Sequence, residues 1–214
     1  MSSKKLDVEN WNREEHFHFF KKYDNPFFNI CTEVEVTQLY HLSKKEGFSF
    51  FIATLFASTK AANLVEQFRY RIKDAGVIIY DIIHAGSTVL NEDETFGFGY
   101  FDYSLSFNEF NEVAKKVLQK MSKIDENFEP RDNQDNLIHY SVLPWISFSG
   151  LSHPRKFNTD DSIPKIVFGK YSKKDDKLMM PISIDVHHSL VDGFHVAKYL
   201  DTFQKLLNDE KNYL

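Results

Sequence analysis

The stretch VHHSLVDGFHV, residues 186–196, sets two adjacent histidines four and five positions ahead of Asp192, with a glycine directly after it and His195 beyond. An imidazole titrates near neutral pH, so a histidine fixed inside a pocket can take up and return a proton. A metal site would need His188, Asp192 and His195 to converge on one point with a position left open. Asp192 and His195 belong to a helix that starts only at Asp192, and no helical ladder ties them to His188. That spacing argues against a metal. The third reading is polarity without chemistry, in which Asp192 is a plain N-cap that satisfies free N–H groups and gains from the helix macrodipole.

The strand that leads into the cluster, KLMMPISIDVHH, places Ile182, Ile184 and Val186 on one face. Side chains alternate along a strand, so His187 and His188 are expected to point to opposite faces, with His188 inward beside Val186. An inward histidine at a strand end, next to a polar turn, is where an acid–base pocket forms. Pairs of histidines also arise by chance, so the residues alone leave the polar-surface reading open.

Other elements follow from periodicity. NWNREEHFHFF opens a helix with Asn12 and Glu15 at capping-box spacing. In FFNICTEVEV the apolar Phe28, Ile30, Val34 and Val36 alternate with polar neighbours, as in a half-buried strand. Residues 48–66 read as a largely buried helix. FRYRIK alternates Phe68, Tyr70 and Ile72 against Arg69, Arg71 and Lys73, and pairs through DAG with VIIYDII as a hairpin. Strand-like runs follow near 87–90 and 95–103. A helix carries Phe110, Val113, Val117, Met121 and Ile124, residues 125–136 read as a long loop, and strands return in IHYSVLPWISF and KIVFGKY. A closing helix from Asp192 repeats Phe194, Ala197, Leu200, Phe203 and Leu207. Long strands with covering helices predict one α/β or α+β domain over 1–214.

Composition removes several functions. A net charge of −5 disfavours nucleic acid as partner, which needs a basic stripe, but leaves room for a small anionic ligand at a local cluster. Cys31 is the single cysteine and has no internal disulfide partner, which fits a reducing, cytoplasmic setting. The start MSSKKLDVENW lacks an apolar signal core, and FSFFIATLFA falls well short of the ~20 residues that span a bilayer. No membrane role is expected.

HHSLVDGFHV resembles the His-His-x-x-x-Asp-Gly-Phe-His signature of chloramphenicol acetyltransferases. NWNREEHFHFF, YSVLPWISF and GKY before MMPISIDVHHSLVDGFHVAKYL lie in the order and spacing of that family. The resemblance implies a two-layer sandwich, a mixed β-sheet covered by helices. It implies a homotrimer that uses acetyl-CoA as co-substrate and no metal, with chloramphenicol as acceptor and antibiotic resistance as the associated role. By the same resemblance, His188 is the general base that deprotonates the acceptor hydroxyl, and Ser141 donates to the oxyanion. Asp192 pairs with Arg13 to hold the turn, and the pocket lies between subunits. Lys170 and Tyr171 match positions where coenzyme A approaches.

The acceptor pocket implied by the resemblance comprises Phe19, Phe20, Phe28, Phe96, Phe128, His139, His153, Lys165 and Val167. Five of these depart from the family pattern. Phe20 replaces a usual tyrosine, His139 an asparagine, His153 a leucine, Lys165 an isoleucine and Val167 a threonine. A lysine and two histidines in an apolar pocket are costly unless a polar or anionic group meets them. The chemistry is therefore expected to persist while the acceptor differs. Rival readings are a lipoyl-type acyltransferase, disfavoured because no lipoyl domain or linker precedes the motif, and a condensation domain, which needs about twice this length. A relative that binds CoA or a small molecule without turnover is the non-enzyme alternative.

Overall fold

Helix α3, Phe50–Leu64, begins where the Ser49 hydroxyl accepts from the Ile52 N–H at 3.4 Å, and ten of its residues are buried. A largely apolar run with so little polar face has to be covered on most sides, and it is. In the computed structural model, which describes residues 2–121, 130–131, 134–155 and 160–214, this helix lies over a seven-stranded mixed sheet.

The sheet order is β2 (Phe27–Glu35), β10 (Lys177–His187), β8 (Lys165–Gly169), β7 (Leu137–Leu143), β5 (His84–Leu90) and β6 (Phe96–Phe101), with β9 (Ser172–Lys174) paired to β10. The β7–β8 and β5–β7 pairs are parallel and the others antiparallel. A separate three-stranded sheet joins β1 (Ser3–Lys5), β4 (Gly76–Tyr80) and β3 (Tyr70–Lys73). The other α-helices among the described residues are α1 (Glu14–Phe20), α2 (Thr37–Glu46), α4 (Phe107–Met121) and α5 (Gly193–Leu207).

Alternation divides the large sheet into two unlike faces. Ile182, Ile184, Val186, Ile166, Phe168, Ile138 and Tyr140 are all buried on the helix side, where each large apolar side chain contributes about 1.5–3 kcal/mol. There the Ser58 hydroxyl of α3 donates to Tyr140 Oη at 2.9 Å and bonds Tyr199 Oη of α5 at 2.5 Å, which ties both helices to β7. The opposite face carries a polar row: Asn29, Asp185, Lys165 and His139 lie in register across four strands, with Cys31, Ser183, Val167 and Ser141 in the row beside it.

Several expectations shift. Helix α1 starts at Glu14 with Arg13 at its N-cap position and no side-chain cap, so Asn12 and Glu15 form no capping box. Arg13 is drawn instead toward Asp192. The hairpin forms as read, but Phe68 sits in a short 3-10 turn (Glu66–Arg69), and Arg71 is fully buried rather than on a polar outer face. Arg71 is tolerated because its guanidinium donates to the carbonyls of Asp135, Phe68, Tyr70 and Leu137. In α4 the inward stripe is Phe107, Phe110, Ala114 and Met121, with Val113 exposed. In α5 it is Val196, Tyr199, Phe203 and Leu207, with Phe194 and Ala197 outside. Ile124, Phe128 and most of 125–136 lie outside the described residues. Among the described residues no helix is long and apolar enough to cross a membrane.

Candidate active site

The β10–α5 connection is short and held by several main-chain hydrogen bonds. Strand β10 ends at His187, whose carbonyl accepts from the N–H groups of Leu190 and Val191 at 3.0 Å each. The His187 ring is buried, takes the Ser189 N–H on Nδ1 at 3.2 Å, and meets the edge of Phe27. His188 lies just past the strand end, so strand alternation no longer governs it. Its N–H donates to the Pro26 carbonyl at 2.8 Å, and its ring stacks on Phe20 at 3.8 Å and tilts against Phe28. The expectation that His188 faces inward and His187 outward is therefore corrected. His187 is the buried ring, and His188 keeps 34% of its side chain exposed.

Asp192 occupies the N-cap position of α5, as expected, and its carboxylate binds Arg13. Arg13 Nη2 donates to Asp192 Oδ1 at 3.0 Å and to the His188 carbonyl at 3.2 Å, while Nη1 bonds Asp192 Oδ2. One guanidinium thus grips both the turn's aspartate and the main chain of the histidine. His188 Nδ1 lies 3.2 Å from Asp192 Oδ1, though without hydrogen-bond alignment. His195 turns back on the helix start, where its Nδ1 accepts from the Asp192 N–H at 3.0 Å. That bond commits His195 to the cap and takes it away from His188. Burial pushes His187 and His195 down to about 4, so both are neutral at pH 7.

Ser141 stands elsewhere in the chain. It lies on the polar face of β7, where its hydroxyl accepts from Thr88 Oγ1 at 3.3 Å. It opens into a cavity of about 840 Å³, whose lining also includes Phe96, His139, His153 and Lys165. Burial pushes His139 down to about 4, with the Lys165 charge beside it acting the same way. His153 and Lys165 are lowered too, again by burial first. Neither His188 nor Asp192 is among the residues that line this cavity.

The other expected pocket residues among the described ones lie in different places. Phe20 and Phe28 pack on His188, and Phe19 is exposed and packs edge-on against Phe20. Val167 is buried and does not line the cavity, which corrects its placement there. Tyr171 packs between Tyr40 and Phe50 at the end of β8, while Lys170 beside it is exposed. Sequence reasoning missed Thr88, the buried Arg71 on the cavity wall, and Arg155, which bonds Asp185 and Asp161. Asp185 was the available signal: a carboxylate inside an apolar strand run needs a buried cation opposite it.

Comparison with known proteins gives one consistent answer. A family model described as Chloramphenicol acetyltransferase matches residues 1–204. Chloramphenicol acetyltransferase 3 of Escherichia coli is 29% identical over 211 residues, which are 98% of this chain and 99% of that protein. A chloramphenicol acetyltransferase of Streptomyces acrimycini is 28% identical over 206 residues, 95% of this chain and 94% of that protein. A solved structure of a chloramphenicol acetyltransferase superposes with a TM-score of 0.89 at 30% identity, covering 96% of this chain and 100% of the other.

Proposed function

The chain belongs to the chloramphenicol acetyltransferase family, and from that membership we propose that it is an acetyl-CoA-dependent O-acetyltransferase acting on a small hydroxyl acceptor. In this reading His188 Nε2 takes the proton of the acceptor hydroxyl. The freed oxygen attacks the thioester carbonyl carbon, and the Ser141 hydroxyl donates to the oxyanion that forms. When that intermediate collapses, the C–S bond breaks, and the thiolate recovers the proton from the imidazolium. No acyl-enzyme is involved, and Cys31, half-buried on β2 with its thiol 3.1 Å from Asn29 Oδ1, has no part in the transfer.

The observation that carries the proposal is the Arg13 clamp. Residues 179 positions apart meet so that one guanidinium holds Asp192 and the carbonyl of His188 together. Pairing and hydrogen bonding compensate for burying that charge, and the gain is a fixed imidazole. The separation of His188 from the Ser141 cavity supports a homotrimer in which one subunit's His188 completes the neighbour's pocket. A single acetyltransferase domain over 1–214 then works in the cytoplasm, with exposed Lys170 near the coenzyme A phosphates and Tyr171 beside it. Nucleic acid and membrane have no place in this scheme.

The test is incubation with acetyl-CoA and a panel of hydroxyl acceptors, chloramphenicol included, with free thiol release as readout. Acceptor-dependent release supports the proposal; acceptor-independent or absent release overturns it.

A further inference from the structure

Lys165 is a partly buried cation on the cavity wall. Its ammonium donates to the Pro154 carbonyl at 2.7 Å, and among the described residues it forms no ion pair. The two carboxylates that act on it, Asp161 and Asp185, are both held by Arg155, whose side chain is 3% exposed. Arg71, on the same cavity wall, is committed to four carbonyl oxygens and has no carboxylate in contact. Among the carboxylates that line the cavity, Asp135 binds the Tyr80 hydroxyl, while Asp74 and Asp160 are exposed. Lys165 and Arg155 together face the two carboxylates Asp161 and Asp185, so the wall near Ser141 is balanced in charge, yet the Lys165 ammonium itself reaches only a carbonyl oxygen.

Two imidazoles sit in the same place. His139 is the direct register neighbour of Lys165 across β7 and β8, on the face that carries Ser141 two residues further along. His153 lines the cavity with its Nε2 buried and unpartnered. Lys165 and both histidines are pushed below their ordinary values by burial first, with Asp161 or Asp185 acting on each in the opposite sense. Burying such groups is costly, and an anionic ligand lowers the cost.

We propose that the acceptor is a hydroxyl compound bearing a carboxylate, held by Lys165, His139 and His153 while its hydroxyl lies at Ser141. The proposal rests on the acetyl-transfer reading and names its substrate class. Strand spacing and rise put the Ser141 and Lys165 backbones roughly 8 Å apart, the span of a hydroxyl and a carboxylate separated by one ring and a short arm. Phe96, Phe98 and Tyr100 supply the aromatic wall for that ring.

The probes are 4-(2-hydroxyethyl)benzoate and its neutral amide, 4-(2-hydroxyethyl)benzamide, compared by kcat/KM for thiol release from acetyl-CoA. The carboxylate is expected to be favoured by about tenfold or more, as one charge-assisted contact gives. Lys165→Gln should bring the ratio near one and Lys165→Arg should retain it. In the parent alone, rising ionic strength should narrow it. An amide equal to or better than the carboxylate overturns the proposal, as does a ratio unchanged in Lys165→Gln or by salt. If neither probe nor chloramphenicol releases thiol, the transfer reading fails, and calorimetric titration with the same pair decides the anion site. Tighter carboxylate binding that salt weakens supports it, and equal binding overturns it.

Discussion

His187 and His188 are adjacent in sequence and opposite in circumstance. One is a buried ring tied to the turn, and the other is stacked on Phe20 with an open side. Substitution should separate them. His188→Ala is expected to lower kcat by at least about 10²–10⁴-fold, the worth of a general base, with a modest change in unfolding free energy. His187→Ala removes a buried ring and the acceptor of the Ser189 N–H, so it should cost on the order of 2 kcal/mol of stability while turnover of the folded fraction survives. Urea unfolding and steady-state rates on both variants check this, and an active His188→Ala would remove the proposed base. Ser141→Ala deletes the proposed oxyanion donor. It is expected to lower kcat roughly 10²-fold, on the order of 3 kcal/mol of transition-state stabilisation, with KM little changed. A raised KM at normal kcat would make Ser141 a binding group.

At the scale of elements, the β10–α5 turn is held by neutral imidazoles. His187 and His195 are both pushed to about 4 by burial, as is His139 on β7. Above pH 6.5 these rings are neutral whether the chain is folded or not. Between pH 6.5 and about 4 the unfolded chain binds protons that the native state refuses, so unfolding free energy falls as pH falls, on the order of 1 kcal/mol per pH unit for each ring. Urea unfolding at pH 7 and pH 5 should show the loss, and His187→Gln should recover part of it; equal stability at the two pH values would place these rings outside the buried turn. The hairpin offers a second test. Asp74 and Ala75 both have positive φ, +49° and +62°, in a two-residue mirror-image turn, and alanine pays for that conformation. Ala75→Gly is expected to raise unfolding free energy by about 0.5–1 kcal/mol, since relief of the left-handed penalty exceeds the added unfolded-state entropy. A loss of stability would contradict that balance. Elements with a strict period of two were legible in sequence: Ile182, Ile184 and Val186 are buried together as their spacing requires. Helix stripes were less so, because three-and-four spacing fits more than one phase. Val113 and Phe194 match a stripe yet face solvent, while Ala114 and Val196 take the inward places. Ser141, His139 and Lys165 share one face through a parallel register between strands 21 residues and more apart, and no local period in the sequence encodes such a pairing.

At the scale of the whole molecule, the proposed base and the proposed oxyanion donor stand apart within one chain. Within a chain, His188 stands by α1 and the start of β2, while Ser141 opens into a cavity that neither His188 nor Asp192 lines. In the proposed trimer, a ring of identical head-to-tail contacts gives every cavity one neighbour's His188. This arrangement predicts complementation between two dead variants. His188→Ala keeps an intact Ser141, and Ser141→Ala keeps an intact His188. Neither variant alone turns over at the parent rate. When the two are unfolded together in equal amounts and refolded, a site is whole if its serine comes from the first variant and its histidine from the second. Each draw has even odds, so about a quarter of the parent activity should return, whatever the number of subunits in the ring. Mixing the folded variants without subunit exchange should restore none. If both groups of a working site came from one chain, every subunit would carry one defect, and the refolded mixture would stay at the average of the two variants. Activity at that average, in a mixture shown by size to be oligomeric, would overturn the shared site and leave His188 and Ser141 to be joined within one chain by another route.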